Sequence, residues 1–155
     1  MRFPRLITNL VIALGLVALI LPATGCDPNK LKVARDATAE LSRFASDGRA
    51  DFADAAAHNL IEADKAAEAE AALDEISQDT KQASDLIDVC LQAKRDPNMS
   101  ERARIVAIAD ATTAALDRLN TAGVLHIKNP DKQRILSLAL FAARATTRRL
   151  RSQFS

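Results

Sequence analysis

Asp54, His58 and Glu62 fall four residues apart, so on a helix they line one face. A carboxylate, an imidazole and a second carboxylate in that row carry the donors for a divalent cation and the titration range for acid and base chemistry. The same row on an Ala-rich helix describes a solvated set of ion pairs, and we read it that way. Carboxylate-bridged metal bundles place a Glu three residues before a His. Here those positions hold Ala55 before His58 and Gly123 before His126. Two Cys and two His supply too little soft ligand for a four-coordinate zinc site. Glu68 with Glu70, and Asp74 with Glu75, stand two and one residues apart and face different ways on a helix. Gly-rich phosphate loops, CxxC and HExxH motifs are absent from the sequence. No catalytic residue, metal ligand or cofactor is assigned, and the chain is expected not to be an enzyme. Arg144, Arg148 and Arg151, with Arg149, form the other chemical row, spaced to grip an anion along one helix.

The elements that position these rows are helices. Ala supplies 31 residues, while four Gly, five Pro, no Trp and no Tyr are a poor inventory for short strands and turns. After Gly25 only Gly48, Gly123, Pro28, Pro97 and Pro130 punctuate the chain. Asp27-Pro28 opens a first helix expected to run to about Asp47 and stop at Gly48. Asn98, with Glu101 three residues on, has the form of a capping box for a segment reaching Ala122. Asn129-Pro130-Asp131 starts the last helix. Leu31, Ala34, Thr38, Leu41 and Ala45 step by three and four, as do Ile105, Ile108, Thr112, Leu116 and Leu119. Leu136, Leu140, Ala143, Thr147, Leu150 and Phe154 repeat the pattern, so each helix has one face to bury. Between Arg49 and Arg95 there is no Gly or Pro. Leu73, Ile76, Thr80, Ala83, Ile87 and Cys90 keep phase through Ser77-Gln78-Asp79-Thr80, which favours a single or kinked helix over two that fold back. The expectation is an all-α antiparallel bundle of four or five helices in residues 26–155, the second very long. Val124-Leu125-His126-Ile127 reads as a turn plugging one end, with His126 structural, and Cys90 reads as a small buried apolar residue.

Residues 1–25 have a different character. Arg2 and Arg5 precede an apolar run from Leu6 to Leu21, followed by Pro22-Ala23-Thr24-Gly25-Cys26, the three-part pattern of a secretory signal peptide. The run spans 16 positions, short of the roughly 20 residues that cross a bilayer. Ala23-Thr24-Gly25-Cys26 resembles the lipobox of bacterial lipoprotein precursors. The resemblance implies cleavage between Gly25 and Cys26, a diacylglycerol on the Cys26 thiol, and a chain anchored in the cell envelope facing the periplasm. Ala23 stands where the favoured pattern has Leu, and small residues at Ala23 and Gly25 equally suit an ordinary signal peptidase. Asp27 resembles the inner-membrane retention signal of enteric lipoproteins. Leu21-Pro22-Ala23-Thr24-Gly25 also matches the sortase signal LPxTG, but that signal precedes a hydrophobic tail, whereas here the hydrophobic segment comes first.

Without Arg2 and Arg5 the chain holds 19 basic and 20 acidic residues, yet unevenly. Eleven acidic residues between Asp51 and Asp88 face Lys65 and Lys81 alone, and seven basic residues between Lys128 and Arg151 face Asp131 alone. One reading lays the acidic segment beside the basic helix. The other leaves Arg144, Arg148, Arg149 and Arg151 for an anionic partner, lipid headgroups or an acidic protein. Nucleic acid is not expected, because an exported chain meets little of it. The partners expected are therefore the membrane, through the N-terminal lipid, and a protein of the envelope.

Overall fold

The computed structural model describes residues 28–155, so Gly25, Cys26 and Asp27 lie outside the described residues. Four α-helices make up nearly all of it: α1 (Pro28–Ala57), α2 (Ala63–Gln92), α3 (Met99–Arg118) and α4 (Pro130–Ser152). A π-helical turn, Leu119–Gly123, and a 3-10 turn, Val124–His126, join α3 to α4.

The caps explain these boundaries. Asn98 accepts the Glu101 backbone N–H while the Glu101 side chain accepts the Asn98 N–H, so the expected capping box opens α3. Asn129 accepts from the N–H groups of Asp131 and Lys132 with Pro130 in the first turn, which fixes the start of α4.

The two tight bends are built differently from expectation. Asn59 takes a left-handed backbone, φ 55°, and Lys94 does the same at φ 51°. Around Asn59, Leu60 N–H donates to the Ala55 carbonyl and Asn59 N–H to that of Ala56. Around Lys94, Arg95 N–H donates to Cys90 and Lys94 N–H to Leu91. Both are the paired six-to-one and five-to-two closures of a left-handed helix cap, made without glycine. The first of them divides the segment that had no Gly or Pro. In place of one helix of about 45 residues there are two 30-residue helices, α1 running ten residues past Asp47 and α2 beginning at Ala63. Ser77-Gln78-Asp79-Thr80 lies inside α2 with its buried seam unbroken, and the Thr80 hydroxyl donates back to the Ile76 carbonyl.

Gly48 does not stop α1. It is buried in the middle of the helix, where an added Cβ would stand 2.9 Å from Leu73 Cδ2, so its lack of a side chain serves packing against α2. Gly123 has a tighter role. A Cβ there would lie 2.8 Å from Ala69 Cβ and from the Phe52 ring, so glycine lets the π-helical turn close onto α1 and α2.

Ion pairs trace the helix directions. Arg35–Asp88 and Arg49–Asp74 run α2 antiparallel to α1, Arg118–Glu75 and Arg95–Glu101 run α3 antiparallel to α2, and Arg144–Asp117 and Arg151–Asp110 run α4 antiparallel to α3. Lys132–Asp54 then brings α4 back on α1. Each helix packs on its chain neighbours and α4 closes the ring on α1, which places α2 diagonally opposite α4. Only the start of the acidic segment, Asp51 and Asp54 on α1, therefore lies beside the basic helix as one reading expected, and its larger part on α2 lies diagonally across.

Leu41, Phe52, Leu73, Ile76, Ile105, Leu116, Leu140 and Leu150 fill the core with a large complement of Ala. Val124, Ile127 and Ile61 close one end of the bundle, and Lys128 N–H donates to the Leu60 carbonyl across that end at 2.8 Å. Leu31, Pro97 and Phe154 lie buried toward the other. Among the described residues the buried hydrophobic side chains run from Leu31 to Phe154.

Two substitutions test this account in urea unfolding. Lys94→Gly should raise stability by about 0.5–1 kcal/mol, because glycine adopts the left-handed cap without a Cβ penalty. Gly123→Ala should lower it by about 1–3 kcal/mol through overpacking against the Phe52 ring.

Candidate functional site

Asp54 and His58 sit in the last turns of α1, whereas Glu62 lies past the Asn59 bend as the residue that precedes α2. The expected shared face is thus broken after its second member. The His58 Nδ1 stands 3.1 Å from Asp54 Oδ1 and 2.9 Å from the Asp54 carbonyl oxygen. Lys132 of α4 bonds the other Asp54 oxygen, and its ammonium, with His58 adding less, holds the Asp54 carboxyl below the usual carboxylate range. Nearby, burial pushes the Asp51 carboxyl up, with Lys132 opposing and Asp47 and Asp54 adding to the rise. The cluster fastens α1 to α4. Among the described residues no group of three or more His, Cys, Asp or Glu side chains could hold a metal ion.

The arginine row is split by the bundle. Arg144 Nη2 lies 2.6 Å from Asp117 and Arg151 Nε 2.7 Å from Asp110, both on α3. Arg149 is half-buried and engaged, and Arg148 is exposed. Two of the four guanidiniums are therefore bonded to the neighbouring helix. Sequence spacing places the four on α4, but Asp110 and Asp117 have no sequence relation to them. They are found only once α3 is known to lie beside α4.

The densest polar constellation joins the end of α2 to the start of α3, and sequence reading captured only its capping half. Arg95 makes a two-pronged pair with Glu101, Nη1 to Oε2 and Nη2 to Oε1, both at 2.7 Å. The same carboxylate accepts the Asn98 backbone N–H at 2.8 Å. Cys90 Sγ lies 3.7 Å from both Glu101 Oε2 and Arg95 Nη1. Arg95 and the Asn98 N–H hold the Glu101 carboxyl down at about 2. Burial pushes the Cys90 thiol up, and the Glu101 charge adds to the rise while Arg95 opposes it. The thiol stays protonated and inaccessible, the condition of a packing residue and not of a nucleophile. On the α2–α3 face, Arg118 holds the Glu75 carboxyl down, and burial followed by the Glu75 charge raises that of Asp79.

Between α1 and α2 a groove of about 380 Å³ is lined by Thr38, Ser42, Ser77, Gln78, Lys81 and Asp85. Its lining side chains are mostly hydroxyl, amide and charged ones, without the large hydrophobic and aromatic side chains that line small-molecule pockets. His126 is exposed, while Val124 and Ile127 on either side are buried, so the connector plugs the bundle end without its histidine. Among the described residues no helix is long and apolar enough to cross a membrane. No known protein family, curated protein or solved structure matches the chain.

The Glu101 lock has a pH signature. Its carboxyl is depressed from 4.5 to about 2, so the stability it contributes is present above 4.5 and is lost as pH falls toward 2. Glu101→Gln keeps a capping side chain and loses the charge. The variant should be less stable than the parent at pH 7, and the gap in urea midpoint should narrow steadily between pH 4.5 and pH 2.

Proposed function

We propose that the protein is a lipid-anchored component of the bacterial cell envelope whose helical bundle acts, without catalysis, as a structural or interaction module. The observation that carries this reading is the sequence Ala23-Thr24-Gly25-Cys26 after a basic and apolar leader, placed two residues before α1 begins at Pro28. Cleavage between Gly25 and Cys26 leaves a lipid-bearing residue joined to the bundle through Asp27 alone. Two or three acyl chains provide stable anchoring, at about 0.8 kcal/mol per buried CH₂. Asp27 favours retention at the inner membrane, with residues 26–155 facing the periplasm.

Interaction, as opposed to small-molecule chemistry, fits the distribution of side chains in the bundle. Ion pairs join neighbouring helices, and the apolar side chains left outside include Phe141, 70% exposed, beside Leu138 on α4.

Mass spectrometry of the N-terminus of protein isolated from membranes tests the reading. The expected product begins at a Cys26 carrying diacylglycerol, and Cys26→Ala should accumulate as uncleaved precursor. A chain intact from Met1, or one beginning at an unmodified Cys26, would overturn it.

A further inference from the structure

The bundle is electrically polarised along its axis. Antiparallel alternation brings the start of α1, the end of α2, the start of α3 and the end of α4 to one end, as the Arg35–Asp88, Arg95–Glu101 and Arg151–Asp110 pairs show. Lys30 and Lys32 arrive there on α1, Lys94 in the α2–α3 bend, and Arg102 and Arg104 on α3. All but Lys30, which is half-buried, are exposed. The acidic side chains of this end are largely taken: Asp88 by Arg35, Glu101 by Arg95 and Asp85 by Lys81. Asp36 and Asp96 remain against the five cations. The opposite end carries an acidic excess: eight acidic residues from Asp51 to Glu75, with Asp117 and Asp131, stand against Arg49, Lys65, Arg118, Lys128, Lys132 and Arg134.

An apolar side chain accompanies the basic groups. Met99, the first residue of α3, is 89% exposed, between the Asn98 cap and Arg102. A thioether raised among cations suits the boundary between headgroups and acyl chains, where apolar tips enter and ammonium and guanidinium groups stay with phosphate.

We propose that this end of the bundle docks on an anionic lipid surface through Lys32, Lys94, Arg102 and Arg104, with Met99 entering the headgroup layer. The proposal deepens the lipid-anchored reading and rests on it for the side on which the membrane stands, since Cys26 precedes this same end by two residues. Basic residues near an anionic surface act nearly additively within a Debye length, about 10 Å at 0.1 M salt. The acidic end would be repelled on close approach, so the basic end is the one that meets the surface.

Residues 26–155 made without leader or lipid, tested by co-sedimentation with vesicles, separate this proposal from the anchor reading, because no modification of Cys26 is involved. Vesicles containing phosphatidylglycerol should bind the chain, phosphatidylcholine vesicles should not, and binding should fall as salt rises. Lys32→Glu and Arg104→Glu should each weaken binding about fivefold, and together about twenty-five-fold. Lys128→Glu with Arg134→Glu, at the far end, should change it less than twofold. Absent binding, equal binding to both vesicle types, or equal loss in the far-end variant would overturn the proposal. The salt and lipid series on the unaltered chain decides it even if a variant loses helicity by circular dichroism.

Discussion

Four amphipathic stripes can be buried together only if the helix backbones come close, and here alanine and glycine make that possible. Ala34, Ala45, Ala55, Ala69, Ala72, Ala83, Ala109, Ala115 and Ala143 are essentially inaccessible, and Gly48 and Gly123 sit where a methyl group would meet Leu73 or Phe52. A core with so many small side chains has little volume per residue. It depends on close fit, because a gap too small for water forfeits dispersion contacts outright. The larger residues, Phe52 and a set of Leu and Ile, fill the spaces that small neighbours leave. Buried threonines do not disturb this, since Thr38, Thr80 and Thr147 return their hydroxyls to carbonyls of the preceding turn.

Charge then acts on an arrangement that packing has already set. Most cross-helix ion pairs are exposed, and each such pair contributes about 0–1 kcal/mol. Their spatial pattern matters more than their sum. Each helix meets its two neighbours through opposite signs, while the groups left over give an excess of cations at one end and of carboxylates at the other. A polarised rod of this kind has a preferred direction in any field, which a uniformly mixed surface lacks.

Much of the fold was legible in the residues. Asn98 with Glu101 and Asn129 with Pro130 announced two helix starts through side chains that satisfy otherwise orphaned N–H groups. The apolar steps of three and four on α3 and α4 matched the buried faces. The bends at Asn59 and Lys94 were hidden, because left-handed caps are normally read from glycine and neither residue is one. Gly48 misled for the complementary reason: its small size answers to Leu73 in another helix, a contact with no local sequence trace. The same limit governed the candidate sites. Asp54 and His58 are together because they share a helix, and Glu62 is parted from them by a turn that spacing alone did not mark. Arg144 and Arg151 look available in the sequence and are bonded in the fold, since their carboxylates come from a helix whose neighbourhood only the ring order reveals.

The ring order also bears on how the chain acquires its structure. Three of its four helix interfaces join segments consecutive along the polypeptide, through bends of a few residues, and only the α1–α4 interface spans nearly the whole described length. Loop closure over short distances costs little entropy, and topologies dominated by such contacts fold in microseconds to milliseconds. Successive hairpins can therefore form as the polypeptide emerges, and α4, docking on α3 and α1 together, completes the barrier against water in a single late event. For the exported chain proposed above, which would cross a membrane unfolded, that sequence of events hides the greasy stripes soon afterwards.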